Sequence, residues 1–410
     1  MEAAGMPTYE EARACILESV EPLGVEKVEI LESLGRVLAE DIFAPWDMPL
    51  WNNTAMDGFA VISEDCSGPV TLKVAGFLPA GESMSASIEK GTAVRILTGA
   101  PIPPGADAVV PFEEAEDKGE TVNFKKPVKV GDHIRFKGED VKTGELIIPA
   151  GTVIRPYEIS MMASFGKLFV PVYRKVRVAI VSTGDELVEP GESLAPGKIV
   201  NSNALTVAAA VRQLGGEPVM LGIARDTMEH LREKLAEGLN ADVLITSAGI
   251  SAGDRDLVRA VLDELNVKLV FWKIDIKPGR PTAFSIRDGK PVFSLPGNPV
   301  STMITFEEFV RPALLKMMGH RRVIKPYVKA SLKAPVKKKP GRVNFVRVSI
   351  DKENGEYVAW SPGDQNTGIL KTMLLAGGIA VLSFEQGDLE AGEKVDVHLL
   401  GPGVEMLEEL

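Results

Sequence analysis

Apolar positions near the start of the chain recur three and four residues apart. Ala12, Ile16, Leu17 and Val20 fall on one helical face, and Thr8 with Glu11 has the form of a capping box. A second helix is predicted from Glu32 to Glu40, before Pro45 and Pro49 break the pattern. From 46 to about 150 the period shortens. Runs at 70–74, 93–97, 108–112 and 121–124 are β-prone and punctuated by Gly and Pro, which predicts a compact antiparallel unit. The segment from Tyr157 to Lys167 is again helical in spacing, so the β unit reads as an insertion in a discontinuous helical domain.

Between 176 and 319 the two periods alternate. Strands are predicted at 176–181, 218–223, 243–246 and 268–274, and helices at 204–214, 228–239 and 256–265. A hairpin over 282–293 turns at Asp288-Gly289, and a long helix follows over 300–318. Such alternation predicts βαβ units and a mostly parallel sheet. The tail beyond about 325 is β-rich, with turns at Gly387-Asp388 and Gly392-Glu393, and predicts a small barrel or sandwich.

Composition narrows the function. Lys plus Arg is 46 and Asp plus Glu is 57, a net charge of −11. That balance argues against a general nucleic-acid binder, which needs basic surface to displace counterions. Cys15 and Cys66 are far apart and four histidines are scattered, so neither a zinc site nor a disulfide framework is expected. No apolar run approaches the ~18 residues of a membrane span, and the first residues carry no secretion signal. A reduced, cytoplasmic, multidomain protein is expected.

In open α/β sheets, ligands bind beyond the carboxyl ends of the strands. The loops expected there are Ser182-Thr183-Gly184-Asp185-Glu186, Arg225-Asp226, the Gly-rich run 247–256, Lys277-Pro278-Gly279-Arg280-Pro281, and Leu295-Pro296-Gly297-Asn298-Pro299-Val300-Ser301. The Gly-rich run has the composition of an anion cradle, although it is neither a Walker A motif nor GxGxxG. Read alone, it is as readily a tight turn with a helix cap. Glu186, Asp226 and Asp256 put carboxylates on the same rim. Beside a phosphate they suggest Mg²⁺, a hard cation that prefers oxygen. Lys277 and Arg280 could hold an oxyanion. Two further segments, Asn52–Val61 and Arg95–Pro101, read on physical grounds alone as hairpin or loop chemistry.

Seven segments, in order along the chain, carry a family likeness: NNTAMDGFAV, RILTGAPIPPGADAVV, IRFKGEDV, STGDEL, GISAGDRD, KPGRP and LPGNPVS. Together they resemble the molybdopterin molybdenumtransferase family (MoeA, and the E domain of gephyrin). The resemblance implies a discontinuous helical and linker domain (1–45 and 141–175), an inserted β domain (46–140), a three-layer α/β molybdopterin-binding domain (176–322) and a C-terminal β-barrel domain (323–410). It also implies Mg²⁺-dependent insertion of molybdate, or tungstate, into adenylylated molybdopterin, with cleavage of the phosphoanhydride and release of AMP.

The same resemblance implies residue roles. Asp57 and Thr98 would act from the partner subunit of a homodimer. Glu186, Asp226 and Asp256 would be catalytic carboxylates and metal ligands. Asp140, Ser182, Gly184, Gly249, Ser251, Gly253, Pro296, Gly297 and Asn298 would bind the pterin nucleotide. Lys277, Arg280, Pro281, Ser301, Arg347 and Thr367 would bind the oxyanion. An upstream molybdopterin adenylyltransferase and molybdoenzyme clients are the implied partners. Ala248 stands where the family often has Gly, a substitution that is costly if the position needs φ > 0. Two alternatives stay open: a non-catalytic molybdopterin-binding scaffold, and an enzyme acting on another nucleotide.

Overall fold

A computed structural model of the chain describes residues 6–83, 85–248 and 257–401. They form two compact units. Asp41–Pro149 with Ser160–Lys167 makes one, and the rest of the described chain the other.

The smaller unit is built on a six-stranded sheet. Its order is Ala108–Pro111, Gly58–Val61, Thr92–Ile96, Val70–Leu78, Thr121–Phe124 and Ala115–Asp117. The sheet is mixed, not wholly antiparallel as its sequence suggests. Val70–Leu78 and Thr92–Ile96 run parallel, with Lys73 opposite Thr92 and Leu78 opposite Ile96. Parallel neighbours need a crossover, and the chain between Leu78 and Thr92 makes one instead of a hairpin. The Asn52–Val61 segment is also more than a polar turn. Gly58–Val61 is buried along its whole length between two neighbours. Glycine is required at its start, because a Cβ on Gly58 would fall on the carbonyl oxygen of Val110. Phe59 meets Phe112 and Phe124 edge to face, with centroids 5.4 and 6.1 Å apart.

The larger unit opens with the helix Tyr9–Glu18. Its capping box is complete: Thr8 Oγ1 accepts from the Glu11 N–H and Glu11 Oε2 accepts from the Thr8 N–H. The helix expected over 32–40 does not form. A 3₁₀ turn, Ile30–Ser33, is followed by Gly35 at φ +74°. Val37 and Leu38 then enter bridges with Val153 and Val172. Both are buried although consecutive residues of extended chain point to opposite faces, so the segment is covered on both sides.

The central sheet has the order Glu217–Ala224, Arg177–Thr183, Val243–Ser247, Lys290–Leu295, Ala283–Arg287 and Lys268–Phe271. The first four strands are mutually parallel, and Ala283–Arg287 is antiparallel to both neighbours. Alternation along Arg177–Thr183 divides the core. Val178 and Ile180 pack on one face with Val207, Val211 and Phe293, while Ala179 and Val181 pack on the other with Leu231, Leu235 and Val261. Helices Ser202–Gln213, Met228–Gly238 and Leu257–Glu264 cover the two faces, giving three layers.

The long helix expected over 300–318 is helical but interrupted. Pro299–Thr305 and Arg311–Met317 are α, and Phe306–Val310 between them is π. The wider turn lets two consecutive acids reach separate partners. Lys325 Nζ lies 2.6 Å from Glu307, while Tyr9 Oη and His398 Nδ1 lie 2.7 and 3.0 Å from Glu308.

The tail is a closed five-stranded barrel. Val343–Glu353 pairs with both Glu356–Trp360 and Gly378–Leu382. Lys394–Leu399 joins the latter to Tyr327–Leu332, which pairs in parallel with Glu356–Trp360. Closure pairs each of the five strands with two neighbours and leaves unpaired only short ends, such as the start of Val343–Glu353. A two-residue strand, Ile276–Lys277, adds alongside Val343 and Asn344. The fold is thus multidomain α/β plus β. Among the described residues no helix is long and apolar enough to cross a membrane.

Candidate active site

The loops at the carboxyl ends of the central strands converge on one cleft of about 1260 Å³. Its walls come from 182–187, 199–203, Asp226, Ser247 and Ala248, 276–281, 296–299 and Ser301, with Arg342 and Thr367 added from the barrel. The pairing of Ile276–Lys277 with Val343–Asn344 brings the barrel side chains there.

Three exposed carboxylates line the cleft: Asp185, Glu186 and Asp226. Asp185 Oδ1 accepts from the Asp226 backbone N–H at 3.3 Å. Arg225 reaches around the same loop and donates to the Leu187 carbonyl at 2.9 Å, so it holds the chain that carries Asp185 and Glu186. Gly184 sits at φ +141°, and a Cβ there would collide with the Glu186 carboxylate. Asp256, Gly249, Ser251 and Gly253 lie outside the described residues. Among the described residues, no three acidic, His or Cys side chains stand close enough together to hold a metal ion. The donors nonetheless suit Mg²⁺, which binds through one or two carboxylates and takes its other oxygens from phosphate and water.

Lys277 and Arg280 are exposed on the opposite loop. Neither pairs with a carboxylate among the described residues; Arg280 Nε contacts only the sulfur of Met6, at 3.5 Å. Gly279, at φ +101°, packs so closely on Thr305 that a side chain would not fit. Thr282 Oγ1 donates to the Gly279 carbonyl at 2.6 Å, fixing the turn that presents the two cations. Pro281, Pro296, Gly297, Asn298 and Ser301 are also on the cleft wall.

Arg347 is placed differently from its sequence expectation. It is 1% exposed and is not among the residues that line the cleft. Its Nη2 donates to the carbonyls of Asp364 and Asn366, at 3.0 and 3.2 Å. Burial pushes its pKa below the ordinary arginine value. Arg347 therefore shapes the loop leading to Thr367, and Arg342 is the barrel arginine that lines the cleft.

Asp57, Thr98 and Asp140 belong to the smaller unit, and all three are exposed. Asp57 Oδ1 accepts from both the N–H and the hydroxyl of Thr98, each at 2.7 Å. The N–H bond, then the hydroxyl bond, hold the Asp57 carboxyl below the usual carboxylate range. The Asp140 N–H donates to the Met48 carbonyl at 3.1 Å.

Sequence reasoning passed over Asn201, Asn203 and Arg342, and it named Thr183 and Asp185 only as members of their loop. Asn201 carries a legible signal, since it caps the helix Ser202–Gln213. Arg342 carries none, because its place depends on a strand pairing between distant segments.

A polar cleft at the carboxyl rim of a mostly parallel α/β sheet is where enzymes of this fold class bind their ligands. This one is lined by three acids and by two cations that have no carboxylate partner among the described residues. Residues 7–166 match the family described as MoeA N-terminal region (domain I and II). Residues 179–316 match a probable molybdopterin binding domain, and 329–400 the MoeA C-terminal region (domain IV). The chain is 37% identical over 405 residues to molybdopterin molybdenumtransferase of Haemophilus influenzae, covering 97% of this chain and 100% of that one. It is 33% identical over 403 residues to molybdopterin molybdenumtransferase 2 of Mycobacterium tuberculosis, covering 96% and 99%. A crystal structure of a molybdopterin biosynthesis MoeA protein from Pyrococcus horikoshii aligns at a TM-score of 0.84 and 34% identity, covering 96% of this chain and 99% of that one. The chain belongs to the molybdopterin molybdenumtransferase family. It is a transferase of molybdenum cofactor biosynthesis.

Proposed function

We propose that this chain inserts molybdate into adenylylated molybdopterin, cleaving the phosphoanhydride and releasing AMP, with Mg²⁺ required. One observation carries the reading: a single cleft is lined by Asp185, Glu186 and Asp226 and by Lys277 and Arg280, cations with no carboxylate partner among the described residues. Phosphoryl cleavage is mostly positioning and charge stabilisation, and those two sets of charge supply it. Lys277 and Arg280 take the incoming oxyanion, Arg280 with a planar fork of donors. Asp185, Glu186 and Asp226 are the hard oxygen donors that would hold Mg²⁺ beside the ligand's phosphates, and Asp256 joins this set by resemblance. Mg²⁺, when bound, neutralises charge on the phosphoanhydride. Ser182, Gly184 and the 296–298 loop shape the wall against the pterin nucleotide, with Gly249, Ser251 and Gly253 beside them by resemblance. No Cys or His nucleophile is needed. A homodimer, an adenylyltransferase that supplies the substrate and molybdoenzymes that receive the product belong to the same reading, as does a cytoplasmic location.

The test is AMP release from adenylylated molybdopterin, with and without Mg²⁺, molybdate and tungstate. Molybdate-dependent release that needs Mg²⁺ supports the reading. Release with tungstate alone changes the oxyanion and keeps the mechanism. Tight pterin binding with no release under any condition overturns it in favour of a carrier.

A further inference from the structure

We propose that Met6 is a positioning residue for Arg280: its thioether takes the Nε–H of the guanidinium and leaves the Nη1/Nη2 edge for the oxyanion. The inference rests on the oxyanion reading of the 277–281 loop and adds to it a residue 274 positions away in the chain.

Two anchors bring Met6 to that loop. Tyr9 is 3% exposed and packs edge to face on Phe309 and Phe345, with centroids 5.7 and 5.2 Å apart. Its hydroxyl donates to Glu308 at 2.7 Å. Closer to Met6, the Pro7 carbonyl accepts from the Asp275 N–H at 3.1 Å, and the proline ring fixes φ at that step. Arg280 is held from its own side, because its carbonyl accepts from the N–H groups of Ile274 and Thr282, at 3.1 and 2.9 Å. Both backbones are therefore tied down where the side chains meet, and Met6 Sδ lies 3.5 Å from Arg280 Nε.

The chemistry of the contact is selective. A thioether is a weak, uncharged acceptor. It orients a guanidinium without neutralising it, whereas a carboxylate in the same place would compete with an anionic ligand. Arg280 is exposed, and its Nη groups have no partner among the described residues. A guanidinium offers two edges to a pair of oxygens, Nε with Nη2 or Nη1 with Nη2. With Nε engaged by sulfur, the end-on pair is the edge left open. Long exposed side chains lose rotamer freedom when they bind, and a contact that orders Arg280 beforehand lowers that cost.

The experiment measures molybdate binding to the full chain by calorimetry, with the melting temperature read in parallel. Met6→Leu keeps the apolar bulk and removes the acceptor, so affinity is expected to fall about threefold. Met6→Gln restores an acceptor of similar reach and is expected to return affinity to within about twofold of wild type. In the Arg280→Ala background both substitutions are expected to be silent, because Met6 acts only through that guanidinium. Unchanged affinity in Met6→Leu would overturn the proposal. So would an equal loss with and without Arg280, which identifies Met6 as packing for the 274–282 loop. A wild-type chain that binds molybdate but releases no AMP overturns the transferase reading and leaves the Met6 result to stand. A wild-type chain that binds no molybdate overturns the oxyanion role of Arg280 and this inference with it.

Discussion

Ala248 holds a φ of +72° directly against Gly297, where an added Cβ would stand 3.1 Å from the Cβ of Ala248. The left-handed region costs an L residue other than glycine about 1–2 kcal/mol. Ala248→Gly relieves that strain but adds freedom to the unfolded chain. The net expectation is a gain of about 1 kcal/mol or less, read from urea unfolding. Gly297→Ala is expected to destabilise, because two methyl groups would meet at a separation below ordinary contact. A loss of stability in Ala248→Gly would show that the backbone there carries no strain.

The positive φ was legible as a conditional in the sequence, from alanine standing where relatives often have glycine. The parallel strands were legible for a stronger reason. Val178–Val181 and Val243–Ile245 are buried on both faces, and continuous apolar runs of that kind have few other homes. The helix expected over 32–40 failed because Val37 and Leu38 are claimed by Val153 and Val172, partners more than a hundred residues away. The wholly antiparallel expectation for the smaller unit failed for the same reason, since the path from Leu78 to Thr92 has no local signature. At the site, Glu186, Asp226, Lys277 and Arg280 were legible as charged residues in loops that line one cleft. Arg347 is buried on the same strand face as Val343 and Phe345, away from the barrel interior that Val346 and Val348 face, while Arg342 precedes the strand and lines the cleft.

Glu308 is buried in the π segment, between Tyr9 and His398. Burial pushes its carboxyl up, but the hydrogen bond and charge of His398, the Tyr9 hydroxyl and Lys325 outweigh it and hold the pKa below the usual value. A lowered carboxyl pKa gives stability that is present above the unfolded value, about 4.3, and is lost as pH falls through the folded one. His398→Ala leaves the buried charge without its main partner and is expected to cost about 3 kcal/mol. Denaturant unfolding at pH 7 measures it, and His398→Gln, which restores a donor, should recover part. A cost near zero would show that solvent reaches Glu308.

Asp57 and Thr98 give a second pH signature, in the other unit. Two hydrogen bonds hold the Asp57 carboxyl low, so it remains an anion through the whole neutral range. Its contribution is present above the unfolded value, about 3.9, and fades only as pH falls through the lower folded value. Thr98→Val keeps the backbone bond and removes the hydroxyl. The Asp57 pKa is expected to climb part of the way back, as an NMR titration of the side-chain carboxyl would record. An unmoved titration would assign the whole effect to the backbone N–H.

Arg280 and Arg347 should separate binding from architecture. Arg280 is exposed in the cleft with no carboxylate partner among the described residues, so its charge contributes little to folding. Arg280→Ala is expected to leave stability within about 0.5 kcal/mol and to weaken oxyanion binding about tenfold. Arg347 is 1% exposed, and its guanidinium holds two carbonyls of the loop that carries Thr367. Arg347→Met fills similar volume but strands those carbonyls, for an expected loss of about 2–3 kcal/mol. Paired measurements of molybdate binding and denaturant midpoint on both variants decide it. If Arg347→Met keeps its stability and loses binding as Arg280→Ala does, the Arg347 guanidinium reaches the oxyanion and the loop-shaping role is wrong.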